Sequence, residues 1–233
     1  MIGRRYAIAI GLGAAVALAA TAALAHGVAD KDAAFIQANP GLQIVPFLYL
    51  GAKHMVTGYD HLLFLAGVIF FLYRLREVAL YVTMFSLGHS ITLLSGVLAN
   101  LHVDPFLVDA VIGLSVVYKA LDNLGAYPTL IGVQPNPKLM VLLFGLVHGF
   151  GLATKLQDLE LSKDGLVPNI LAFNVGVELG QIVALSLILA AMTLWRSTGS
   201  FRRGAVAANV LIMTAGFVLM GQQLAGYFWE GAA

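Results

Sequence analysis

Six apolar stretches, each close to the length of a membrane-crossing helix, dictate what this chain can fold into. A helix needs ~20 residues to cross ~30 Å of hydrocarbon, and the runs near 58–74, 77–100, 106–124, 138–156, 167–195 and 204–228 meet that measure. Composition agrees: 60% of the residues are hydrophobic and 11% charged, against roughly a quarter charged in soluble domains. The fold class expected is therefore an all-α integral membrane protein, a bundle of about six transmembrane helices forming one polytopic domain over 46–230. The connections leave no room for a second folded domain, and the two halves show no convincing internal repeat.

Ahead of that domain, Arg4 and Arg5 precede an apolar run from Tyr6 to Leu24 that ends in Ala23-Leu24-Ala25. This is the pattern of a secretory signal peptide over 1–25. Cleavage after Ala25 makes His26 the mature N-terminus and leaves 26–45 as an extracytoplasmic segment. The alternative is an uncleaved first transmembrane helix, with the same orientation. Arg74, Arg76, Lys138, Arg196, Arg202 and Arg203 then fall in cytoplasmic connections, with Lys53, Lys155 and Lys163 opposite them. The positive-inside rule asks for that asymmetry, and the expected location is the bacterial inner (cytoplasmic) membrane. Between the signal and the first span, Pro46 to Thr57 is apolar but carries Lys53 and His54. It reads as an interfacial helix joined to the first span at Gly58.

Several function classes drop out. Thirteen basic and twelve acidic residues give a net +1, which is no electrostatic footprint for nucleic acid. The absence of cysteine excludes thiolate metal sites. No G-x-x-x-x-G-K-[ST] loop occurs, so transport would draw on a gradient or potential rather than on a nucleotide held in such a loop.

Inside the apolar runs lie residues that hydrocarbon does not tolerate singly. A polar or ionisable side chain at membrane depth costs ~2.5 kcal/mol or more and faces a bundle interior or a solute path. His54, Asp60 and His61 fall within eight residues, and on an unbroken helix His54 and His61, two turns apart, would stack near the outer end of the first span. Ser86, His89 and Ser90 share a face of the second span by the i, i+3, i+4 rule. In the fourth, Gly145 and Gly149 make a smooth strip beside His148, admitting a close neighbour. Asn174, Glu178 and Gln181 form a stripe on the fifth, where a carboxylate has to be protonated, paired or metal-bound. In the third span, Lys119 and Asp122 read as an ion pair at i, i+3. Asp109 there reads either as part of an entrance or as a partner for the helix N-terminus.

Taken in order, these segments resemble the HupE/UreJ family of hydrogenase and urease accessory membrane proteins. The likeness rests on His54-x5-Asp60-His61-Leu62-Leu63-Phe64-Leu65, Gly88-His89-Ser90-Ile91-Thr92-Leu93, Phe144-Gly145-Leu146-Val147-His148-Gly149-Phe150-Gly151 and Phe173-Asn174-Val175-Gly176-Val177-Glu178-Leu179-Gly180-Gln181. It implies six helices after a cleaved signal, movement of nickel or cobalt, and supply of a metalloenzyme maturation system. It also implies a metal-moving role for the H-x5-D-H element, here His54, Asp60 and His61. Nickel-permease members carry two histidines and a nearby glutamate in the fourth-helix motif. Here His148 stands alone with Glu178 on the next helix, as in a broader second branch whose nickel specificity is less secure.

The leading expectation is a permease or metal-handling accessory protein for a divalent transition metal, with nickel, cobalt or zinc as substrate or ligand. Imidazole and carboxylate without thiolate suit those borderline ions and do not choose among them. His54, Asp60 and His61 would capture the ion, and His89, His148 and Glu178 would pass it inward. Ser86, Ser90, Asp109, Asn174 and Gln181 would support them, and the amine and imidazole of His26 could deliver the ion. One competing reading is an intramembrane zinc hydrolase with Glu178 as general base. Another is a nonenzymatic assembly factor.

Overall fold

The computed structural model describes Ile36, residues 40–157 and residues 164–230. The expected signal peptide, its cleavage site, His26 and Lys163 lie outside the described residues. Among the described residues, eight helices follow one another from Ile44 on: α1 (Ile44–Thr57), α2 (Tyr59–Ile69), α3 (Leu75–Leu98), α4 (Pro105–Asn123), α5 (Tyr127–Ile131), α6 (Pro137–Gln157), α7 (Leu166–Arg196) and α8 (Phe201–Glu230). Four of them, α3, α6, α7 and α8, are long and apolar enough to cross a membrane. The chain is an all-α, multi-pass integral membrane protein. Helix α4 is long, but Asp109, Lys119 and Asp122 interrupt its apolar face.

The helices assemble as three intimate pairs, α3 with α6, α1 with α7, and α4 with α8. Backbone contact at glycine explains the first two. A methyl group at Gly145 or Gly149 of α6 would strike the backbone of Phe85 or His89 in α3. One at Gly51, Gly176 or Gly180 would collide with the facing backbone between α1 and α7. Small residues drive such approaches in lipid, where apolar contact alone gives helices no reason to associate. For the same reason the outward faces of α7 carry Leu187 and Leu194, both largely exposed.

The start of the membrane domain corrects the expected first span of 58–74. Residues 44–57 form the expected helix, which ends at the expected joint, Gly58. They run beside the first half of α7, with Leu48 and Ala52 of α1 against Gly176 and Ala52 and Met55 against Gly180. Helix α1 is tied at its start by Asn169, whose Oδ1 accepts from Gln43 N (2.7 Å) and whose Nδ2 donates to Gly41 O (2.8 Å). The chain breaks at Gly58, which leaves helical geometry at φ −71° and ψ 99°, and continues as α2. The H-x5-D-H element therefore straddles the break, with His54 in the last turn of α1 and Asp60 in the first turn of α2.

Helix α2 ends at Ile69, earlier than expected, because Arg196 of α7 donates to the carbonyls of Ile69, Phe70 (2.7 Å) and Leu72 (3.0 Å). Of these, the Ile69 carbonyl also accepts from Leu72 N (3.0 Å) in the closing turn; carbonyls at a helix end lack the next turn's donors, and the guanidinium's fork supplies several donors at once. At the other end of the bundle, Asp104 caps α4 by accepting from Phe106 N (2.9 Å) and Leu107 N (3.2 Å), with Pro105 opening the helix. The cap is thus Asp104, and Asp109, one turn further in, is released for another task. The expected pair of Lys119 with Asp122 forms. Beside it, Asn123 Nδ2 donates to Gly67 O (2.8 Å) and to Asn209 Oδ1 (2.9 Å), tying α2, α4 and α8 together.

A candidate metal site at a helix break

The break at Gly58 sets the geometry of the site. An added Cβ there would lie 2.8 Å from His61 Nδ1, 3.0 Å from the His54 carbonyl and 3.1 Å from Asp60 Oδ1, so only glycine lets the chain turn this tightly around its own polar groups. Helix α2 then opens with Asp60 in its first turn, where the helix dipole favours a carboxylate. His61 Nδ1 lies 3.0 Å from Asp60 Oδ1, and both side chains are 5% exposed.

Four histidines from four helices meet at this point. The His61 ring centroid is 5.0 Å from His54 (α1), 5.1 Å from His148 (α6) and 6.4 Å from His89 (α3). The close α3–α6 backbones bring His89 and His148 to the same level, His148 falling mid-way along α6. Asp60, His61 and His148 are the tightest group, each offering one ligand atom within 4.8 Å of the others. This buried His/His/Asp cluster could coordinate a divalent metal ion.

Hydrogen bonding fixes the tautomers. His148 Nδ1 is 2.7 Å from the Phe144 carbonyl, which can only accept, so Nδ1 carries the proton and Nε2 keeps a lone pair. With the Asp60 carboxylate ionised, His61 Nδ1 donates to it at 3.0 Å and Nε2 is the acceptor. Among the described residues, the Nε2 atoms of His61 and His148 and both ring nitrogens of His89 are buried with no hydrogen-bond partner. Buried polar atoms are nearly always satisfied, and unsatisfied imidazole nitrogens in a group with a carboxylate are a condition that a cation would relieve. The carboxylate–imidazole arrangement at Asp60 and His61 is the one that orients metal-binding histidines elsewhere.

Below the histidines, Phe64 and Phe85 close the site. Their ring centroids lie 5.7 and 4.9 Å from that of His148 and 5.3 Å from each other. Motif reading missed this apolar floor because each phenylalanine looks like ordinary core; only the i, i+3 and i, i+4 spacings His61–Phe64 and Phe85–His89 hinted at it.

The remaining expected residues separate by position. Asn174 and Gln181 are buried, and Asn174 Oδ1 and Gln181 Nε2 also lack partners. Glu178, on the same stripe, reaches the exposed side of α7, where its Oε1 lies 3.4 Å from Ser86 Oγ of α3. That leaves Glu178 at the margin of the cluster, one helical turn along α3 from His89. Ser90 is half-buried on α3. Asp109 pairs with Lys155, Nζ to Oδ2 at 2.7 Å, and lines a small cleft with Asp60, Ile112, Gly113, Leu219 and Gln223.

Comparison with known proteins agrees with this arrangement. The model of the family described as HupE / UreJ protein matches residues 30–231, a stretch that holds every helix described above. No curated protein and no solved structure gives a significant match. With its helix-break histidines, glycine-packed spans and aspartate all inside the matched region, this chain belongs to the HupE/UreJ family.

Proposed function

We propose that the chain is a permease for a divalent transition metal ion, nickel first with cobalt and zinc as alternatives, feeding a metalloenzyme maturation system from a bacterial inner membrane. The observation that carries this is the pair of unpartnered Nε2 lone pairs on His61 and His148 beside the Asp60 carboxylate. Two nitrogens bound to one ion at about 2.1 Å each are at most about 4.2 Å apart. Ligand atoms spread over as much as 4.8 Å therefore have to draw in by up to about 0.6 Å to hold it. A site that tightens only on occupancy suits a passing ion, which has to bind well enough to shed water and weakly enough to leave.

The discontinuous α1–α2 segment supports the same reading. Membrane proteins keep non-helical backbone at depth only where it is buried in protein or lines a cavity, and many transporters place their substrate at such broken helices. In this reading α1 and α2 together make one span. With α3, α4, α6, α7 and α8 they give six, with the mature N-terminus outside and 1–25 removed as a signal. His54 and His89 flank the ion's path on either side of His61, and Glu178 with Ser86 forms a polar exit step along α3 and α7.

Uptake by proteoliposomes tests this. Purified protein should carry Ni2+ to an internal metal indicator saturably, and a folded His61→Ala, His148→Ala double variant should lose at least ten-fold of the rate. Wild-type vesicles no more permeable than empty ones would overturn the permease reading, and retained stoichiometric binding in that case would favour an assembly factor.

A further inference from the structure

The geometry points to Lys155 as a tethered cation that sets the rate at which metal reaches the cluster, an inference that rests on the metal-handling reading above. The small cleft between α2, α4 and α8 is lined by two carboxylates, Asp60 and Asp109, together with Gln223. Asp60 belongs equally to the cluster, where it groups with His61 and His148, residues only 4% and 2% exposed. The cleft thus reaches the cluster through Asp60. Its outer carboxylate, Asp109, is held by the Lys155 ammonium at 2.7 Å.

The position of Lys155 follows from the packing. Gly151, one turn earlier on α6, has no side chain, and a Cβ there would sit 3.0 Å from Val108 Cγ1 and 3.5 Å from Asp109 Oδ1. This lets α6 lie close enough to α4 for the lysine stem to reach across. The Lys155 and Asp109 side chains are 17% and 10% exposed, so the pair is shielded but not sealed. An incoming divalent ion on its way to Asp60 meets Asp109 already neutralised by an ammonium, a point charge on a flexible stem, so the pair lends the entrance no net attraction. Charges lining a cleft alter ligand on-rates by ten-fold or more through focusing of the field. Lys155 therefore slows capture.

A charge cycle tests this with Ni2+ alone. Association rates are followed by stopped-flow with a metallochromic indicator on protein in nanodiscs, and bound Ni2+ per chain is measured at equilibrium. The Asp109–Lys155 pair carries zero net charge in the wild type, −1 in Lys155→Gln, +1 in Asp109→Asn and zero in the double variant. The expected order of association rate is Lys155→Gln, roughly ten-fold above wild type; then wild type and the double variant together; then Asp109→Asn, about ten-fold below. Lys155→Arg should stay near wild type, and all should bind the same amount of metal at saturation. If Lys155→Gln does not fold, the positions of Asp109→Asn and the double variant relative to wild type carry the same test. Equal association rates across folded variants would overturn the role of Lys155 while leaving the cluster intact. Loss of bound metal in the double variant, in proportion to lost thermal stability, would show a merely structural pair. A wild type that binds no Ni2+ would overturn this inference and the metal-handling reading together.

Discussion

Replacing Gly149 with alanine tests how directly helix packing sets the site. The new methyl would lie 3.0 Å from the His89 carbonyl carbon, and closer to its oxygen and to Thr92 Oγ1. Ordinary carbon contacts begin at about 3.5 Å, so α3 and α6 have to part by roughly 0.5–1 Å. Parting them also stretches the bond from Thr92 Oγ1 to the Leu146 carbonyl, now 2.7 Å. Overpacking of this kind costs ~1–3 kcal/mol and an interhelical hydrogen bond in a membrane protein contributes ~0.6 kcal/mol, for a total of about 2–4 kcal/mol. The same movement carries His89 and His148 apart. Metal ligands tolerate about 0.2 Å, so affinity should fall roughly 10–100-fold, as for lost supporting contacts. Thermal unfolding in detergent and competitive Ni2+ titration read the two effects. Gly221→Ala on α8, where nothing lies within 4 Å of the added carbon, serves as the control and should be neutral. A Gly149→Ala protein as stable as wild type, with unchanged Ni2+ affinity, would show that the α3–α6 contact does not position the histidines.

Three further outcomes follow from the structure. Asp60→Asn should keep the fold, since the amide oxygen can still accept from His61 Nδ1, yet weaken Ni2+ binding about 10–100-fold; titration and thermal unfolding separate the two. Arg196→Ala removes the guanidinium donors from the Ile69, Phe70 and Leu72 carbonyls, of which only Ile69 keeps a backbone donor among the described residues, and should lower stability by about 2–3 kcal/mol, measured by unfolding in detergent, with Arg196→Lys partly restoring it. A reporter fused after Arg202 should lie in the cytoplasm, as the arginine distribution requires, and activity of an extracytoplasmic reporter at that position would reverse the proposed topology.

Much of the site was legible in the sequence because charged and polar groups in apolar runs have few physical excuses. His54, Asp60, His61, His89 and His148 stood out individually, and the glycine strip beside His148 announced a close neighbour, which proved to be α3. What pattern alone did not show was packing. Pro46–Thr57 read as a helix meeting the first span at Gly58, and so it is, but nothing local says that Gly51 lets it pack along the backbone of α7. The end of α2 was misplaced for a related reason: nothing local says that Arg196, over a hundred residues away, will satisfy the Ile69 and Phe70 carbonyls. The stripe of Asn174, Glu178 and Gln181 was correctly placed on one helix, but a stripe of three wraps far enough around α7 for its middle member to emerge at the surface. Asp109 had two sequence readings, and neither included the Lys155 ammonium that pairs with it from α6.

X-ray absorption at the Ni K-edge of the loaded, purified protein is the most direct measurement of the central claim, that His61 and His148 hold a divalent ion beside Asp60. The expected spectrum has a nitrogen and oxygen shell near 2.1 Å with the outer-shell scattering of at least two imidazoles, and that imidazole signal disappears in the His61→Ala, His148→Ala variant. A shell of water or carboxylate oxygens without imidazole scattering, or a spectrum unchanged by the double substitution, would contradict it.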